Sequence, residues 1–136
     1  MIKPIMKSEF FLRLPSEDAG PDDAATGQDL LDTLHEHEHE CVGLAANMIG
    51  VRKRIICVKD GNRALLMYNP QILEQVNSYQ TSEGCLSLSG ERPCTRYRRI
   101  KVEYLDENFV HLIKNFSGYT AEIIQHEIDH CQGIVI

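Results

Sequence analysis

Residues Gln125 to Gly133 contain His126-Glu127-Ile128-Asp129-His130, an HExxH pattern. This pentapeptide limits its own segment to one useful conformation. On an α-helix, positions i and i+4 lie one turn apart on the same face. His126 and His130 can then point two imidazoles at one metal ion, with Glu127 beside them as a proton acceptor. Two histidines and a glutamate at these offsets also occur on ordinary charged helices. The hydrolytic reading therefore needs a third protein ligand and a fourth position open to water.

The chain has 136 residues, which suits one domain over residues 1–136 with one core. Acidic residues outnumber basic ones, 20 against 14, for a net charge of −6. That balance argues against nucleic acid or an anionic membrane as partner. No apolar run reaches the roughly 20 residues that span a bilayer. The N-terminus, Met-Ile-Lys-Pro-Ile-Met-Lys, is too interrupted for a signal-peptide apolar region. The cysteines, Cys41, Cys57, Cys85, Cys94 and Cys131, are odd in number and form no C-x-x-C pair. A reducing cytoplasm fits them better than a disulfide framework. One of them can be a metal ligand and the rest small buried residues.

Pro15, Gly20 and Pro21, with Asp22 and Asp23, mark a surface loop. From Thr26 to Glu40 the pattern is helical, with Leu30, Leu31 and Leu34 on one face. The alternating run His35 to Glu40 closes it. Alternate residues on a helix do not face one another, so the run reads as a solvated helix end rather than a metal site. Gly43 to Gly50 is small, apolar and glycine-bounded, which suits close backbone approach. Arg54 to Lys59 and Ala64 to Tyr68 read as strands joined by a turn at Asp60-Gly61-Asn62, with Asn69-Pro70 breaking the second. A short extended piece at 72–79 follows. Ile100 to Leu105 alternates as a strand, with Val110 to Lys114 as its hairpin partner. Ser117 or Gly118 opens a last helix that runs to Cys131, and Gly133 stops it.

Three segments, Gly43–Gly50, Glu83–Ser87 and Gln125–Gly133, together resemble the signature motifs of the peptide deformylases. Glu83-Gly84-Cys85-Leu86-Ser87 is the family's cysteine motif unaltered, and the order of the three is the family's order. Asn69-Pro70, Arg92 and the strand around Val102 are similar too. The resemblance implies an α+β fold: short, mostly antiparallel β-sheets packed around a C-terminal HExxH helix, with one N-terminal helix outside. It implies Cys85 as the third metal ligand beside His126 and His130. It also implies one divalent metal, iron(II) in the cell, with zinc, nickel or cobalt as substitutes.

The reaction implied is hydrolysis of the N-formyl group from the initiator methionine of nascent polypeptides, in the cytoplasm near the ribosome. Glu127 would take a proton from the attacking water and pass it to the leaving amine. The backbone N–H of Leu86 would stabilise the oxyanion. Gly43 and Leu44 would line the substrate groove through their backbone. Glu83 and Arg92 would support the site rather than react.

The first motif departs from the family's Gly-x-Gly-Leu-Ala-Ala-x-Gln-x-Gly. Met48 stands at the glutamine whose amide serves as second oxyanion donor, and Cys41 stands at the first glycine. A thioether donates no hydrogen bond, and one lost oxyanion donor typically costs on the order of 10²–10³ in turnover. Asn47, next in sequence, carries an amide. Ser89 stands where many relatives have proline, and the chain stops at Ile136, where many relatives continue; the ending reads as a compact variant. Two alternatives stay open. One is a weakened paralogue that binds metal and formyl-peptide. The other is a zinc endopeptidase, suggested by HExxH alone.

Overall fold

The computed structural model describes residues 1–136. A single five-stranded antiparallel sheet in the order β1-β2-β3-β4-β5 organises the chain. The strands are β1 (Gly43–Ala45), β2 (Ile55–Asp60), β3 (Arg63–Cys85), β4 (Leu88–Leu105) and β5 (His111–Ser117). Three helices accompany them: α1 (Glu9–Leu12), α2 (Ala24–Glu36) and α3 (Gly118–Cys131). The α+β class read from the sequence is the class observed, with the strands joined in one sheet and the middle two long.

The alternation of side chains along a strand decides where the helices sit. All of Ile55, Ile56, Cys57 and Val58 on β2 are buried. Ile55 and Cys57 pack with Leu30 and Leu34 of α2 and with Leu44, Met48 and Tyr68. Ile56 and Val58 point the other way and pack with Ile123, Ile124 and Ile128 of α3 and with Ile100 and Val102. β2 is thus covered on both faces, as a continuous apolar run requires. Gly27 lets α2 close on the sheet, since a Cβ there would stand 2.1 Å from the Tyr68 hydroxyl.

Several boundaries differ from the sequence reading: β4 begins at Leu88 rather than Ile100, α2 at Ala24 rather than Thr26, and β5 runs on to Ser117. Asn69-Pro70 does not end the strand. β3 runs through it, with irregular register between Tyr68 and Gln71, and Asn69 takes φ 54°. A bulge absorbs what a regular ladder cannot: a proline without an N–H donor. Helix α2 stops at Glu36, and residues 37–40 form a turn. His37 Nδ1 and Glu40 meet there at 3.1 Å, on the exposed helix end anticipated for the alternating run.

β3 and β4 form one long hairpin whose tip is Leu86-Ser87. A further register shift between Glu83 and Cys85 lies just before that tip. Bulges bend the strand that carries them. This hairpin brings the cysteine motif to the face of α3. No helix is long and apolar enough to cross a membrane.

Candidate active site

His126 and His130 project from α3 into the interior, 7% and 0% exposed. Their Nε2 atoms stand 3.0 Å apart. His126 Nδ1 donates to Glu83 Oε1 at 2.7 Å. A carboxylate only accepts, so Nδ1 carries the hydrogen and Nε2 is the atom turned toward His130. Burial, with the charge on the facing His126, pushes His130 down to about 3, so it stays neutral. Burial also disfavours charge on His126, but its hydrogen bonds with Cys85 and Glu83 prevail and carry it up to about 10.

Cys85 lines the same cleft as His126. Burial raises its thiol. The hydrogen bond with His126 and the N–H groups of Leu88 and Ser87 outweigh that and hold it below its ordinary value. The pair therefore favours thiolate and imidazolium, a proton shared between two donor atoms. A divalent cation can replace such a proton, because ligands bind metals deprotonated.

No three His, Cys, Asp or Glu side chains close around a common point in the structure. The donor chemistry nevertheless fits a metal. Two nitrogens bound at about 2.0–2.1 Å to one tetrahedral ion lie about 3.3 Å apart, near the separation seen here. The Glu83 carboxylate behind His126 is the outer partner that a ligating histidine ordinarily keeps.

Glu127 is 4% exposed, and its Oε1 has no hydrogen-bond partner. Burial pushes it up to about 7, against the pull of the His126 charge. Gly43, across the cleft on β1, is what admits this side chain. A Cβ there would meet Glu127 Oε2 at 2.9 Å and Ile123 Cγ2 at 2.7 Å. β1 is the edge strand, so its outer side has no strand partner. Gly43 lines the cleft, whereas the side chain of Leu44 is fully buried in the core.

Leu86 and Met48 line the cleft as well. Both carbonyls are fixed by the N-terminal segment: Met6 N–H donates to Met48 O at 2.7 Å, and Lys7 Nζ donates to Leu86 O. Met48 is 1% exposed, and Asn47 beside it does not face the substrate side as a free donor. Its Nδ2 donates to the carbonyl of His130 at 2.9 Å, tying the end of α3.

Arg96 is the residue that sequence reasoning missed. It is 4% exposed on β4, donates to both oxygens of Glu83 (2.7 to 3.1 Å), and donates to Asp129 at 2.8 Å. Arg96 thus holds the carboxylate that holds His126. Burial alone would raise Glu83, but the hydrogen bonds from His126 and Arg96 outweigh it and hold the carboxylate well below its usual range. Arg92 instead pairs with Glu9 at 3.7 Å. The only sequence signal for Arg96 is a cation at a strand position whose neighbours alternate, and that signal does not name a partner.

Removing one member of a buried ion pair leaves the other uncompensated, at about 3–5 kcal/mol. Arg96→Ala is therefore expected to lower the melting temperature by about 10–17 °C in a domain of this size. A melting temperature within about 2 °C of the parent would show that water or a neighbour compensates Glu83.

A model of the family described as polypeptide deformylase matches residues 6–136. The peptide deformylase of Clostridium beijerinckii is 52% identical over 136 residues, all of both chains. The class I type b peptide deformylase of Acinetobacter baumannii superposes with a TM-score of 0.89 at 30% identity, covering 99% of this chain and 97% of that one. A structure of the same protein with Met-Ala-Ser bound gives 0.87 at 28% identity, covering 99% and 96%. With the cysteine motif at the hairpin tip, HExxH on α3 and this likeness over the whole chain, the protein belongs to the polypeptide deformylase family.

Proposed function

We propose that this protein is a metal-dependent hydrolase that removes the N-formyl group from the initiator methionine of nascent polypeptides, as one domain over residues 1–136. The observation that carries the reading is the buried, unpartnered oxygen of Glu127, in the cleft that His126 and Cys85 also line. Cys85, His126 and His130 are the assigned ligands. Iron(II) is the assigned cellular metal, with zinc, nickel or cobalt as substitutes. Formylated nascent chains place the work in the cytoplasm, close to the ribosome.

A divalent ion held by Cys85, His126 and His130 would supply Lewis acidity, making a water acidic enough to ionise near neutral pH. Glu127, buried at the cleft, would take the water proton as its carboxylate and return it to the departing amine nitrogen. The Leu86 N–H donates to the formyl oxygen as negative charge develops there. The open edge of β1 at Gly43 and Leu44 offers main-chain hydrogen bonds to an extended peptide. Arg96 and Glu83 keep His126 in the tautomer that presents Nε2.

Formate release from formyl-Met-Ala-Ser by protein loaded anaerobically with iron tests the reading. Cleavage of unformylated peptides without formate release would replace it with the endopeptidase. The ligand assignment predicts its own result: Cys85→Ala, His126→Ala and His130→Ala each lose the metal on desalting. Full metal occupancy in any of the three removes that residue from the ligand set.

A further inference from the structure

The segment leading into α1 touches both motifs that wall the cleft. Ile5 and Met6 pack against the apolar cluster that Leu86 and Leu88 also join. On the first-motif side, the Met6 N–H holds the Met48 carbonyl, and a Cβ on Gly50 would stand 3.7 Å from Met6 Cε. On the hairpin side, the Lys7 ammonium donates to the Leu86 carbonyl, and Glu9 pairs with Arg92 of β4. Leu86 and Ser87 form a two-residue tip between the register pair Cys85 and Leu88. No other hydrogen bond from outside the hairpin reaches either tip residue, and the buried Ser87 hydroxyl has no partner. Lys7 is thus the tip's external tether.

The carbonyl that Lys7 holds belongs to the same peptide unit as the Ser87 N–H. A peptide is planar, so fixing its oxygen fixes its N–H as well. That N–H donates to the Cys85 sulfur. A cation on the oxygen also polarises the peptide, which strengthens the bond its N–H gives. We propose that Lys7 is a positioning residue of the reaction centre: through the Leu86–Ser87 peptide, its ammonium holds the Cys85 sulfur in place for the metal. The inference rests on Cys85 as a ligand and adds the residue that steadies it from outside the hairpin.

The test reads metal release, so it does not depend on turnover. Cobalt-loaded parent, Lys7→Met and Lys7→Arg are mixed with excess EDTA, and the decay of the thiolate-to-cobalt absorption is timed. Methionine keeps the apolar stem without a donor, whereas arginine restores a charged donor. Lys7→Met is expected to release cobalt about fivefold faster, below the tenfold or more typical when a group bonded directly to a ligand is lost. Lys7→Arg is expected within about twofold of the parent. Lys7 is exposed, so both variants should melt within about 2 °C of the parent. Release from Lys7→Met at the parental rate overturns the inference. So does faster release that Lys7→Arg fails to restore, or that comes with a lower melting temperature. A cobalt-loaded parent without the thiolate absorption would refute Cys85 as a ligand, and the inference with it. Formate release from formyl-Met-Ala-Ser reports separately on the deformylase reading.

Discussion

Glu127→Ala is expected to keep its metal and its fold and to lose about 10³–10⁴ in turnover. The expectation follows from the place of the carboxylate. Glu127 lies on α3 between the two histidines in sequence, yet it makes no hydrogen bond through Oε1 and no ion pair. No hydrogen bond or ion pair through Oε1 is therefore lost when it is removed. Its burial in fact opposes folding in the ionised state, since a desolvated carboxylate is costly. The alanine variant should melt close to the parent, the relief of a buried carboxylate offsetting the void left against Gly43. Its catalytic loss should fall on kcat, because the group acts on the proton in flight rather than on the resting substrate. Metal content by atomic emission, a melting curve and formate release on one preparation decide the matter. Turnover near the parental rate would refute the general base, and loss of metal would make Glu127 a ligand.

Which parts of this site were visible in the sequence follows from which constraints are local. HExxH is local: helical geometry alone places both histidines on one face, and α3 carries them there. The β2–β3 hairpin at Asp60 to Asn62 was legible for the same reason. Arg96 was not, because its partners Glu83 and Asp129 lie 13 and 33 residues away and meet it only after β4 and α3 pack. The passage of β3 through Asn69-Pro70 was hidden too. There the Asn69 side chain both donates to and accepts from the backbone of Ala19, a contact 50 residues long that overrides local turn preference. Asn47 is the sharpest case. Adjacency to Met48 suggests an amide free to turn toward the substrate, but the structure spends that amide on the His130 carbonyl.

Met48→Gln is accordingly expected to raise kcat, by about 10²-fold, with little change in KM. In the proposed reaction the Leu86 N–H is the one donor to the developing oxyanion. Met48 stands at the sequence position of the family's amide donor and is among the residues of the cleft, and its sulfur has no hydrogen to give. Glutamine has nearly the length and volume of methionine, so it should enter the space among Leu12, Leu44 and Ile55 without forcing the core apart. It brings a polar amide into an apolar surround, which costs about 1–3 kcal/mol while unsatisfied. The resting protein should therefore melt lower even as the reaction quickens, because the amide finds its acceptor only as charge forms on the formyl oxygen. Met48→Leu is the control for shape: it keeps the apolar contact, adds no donor, and should leave kcat within about twofold of the parent. A glutamine variant that loses stability without gaining kcat would mean that the oxyanion is already fully served, and that methionine here is a core residue exchanged for the donor at no catalytic cost. A gain confined to the glutamine variant would show that this chain runs the family reaction with one donor fewer, and trades rate for a drier, better packed cleft wall.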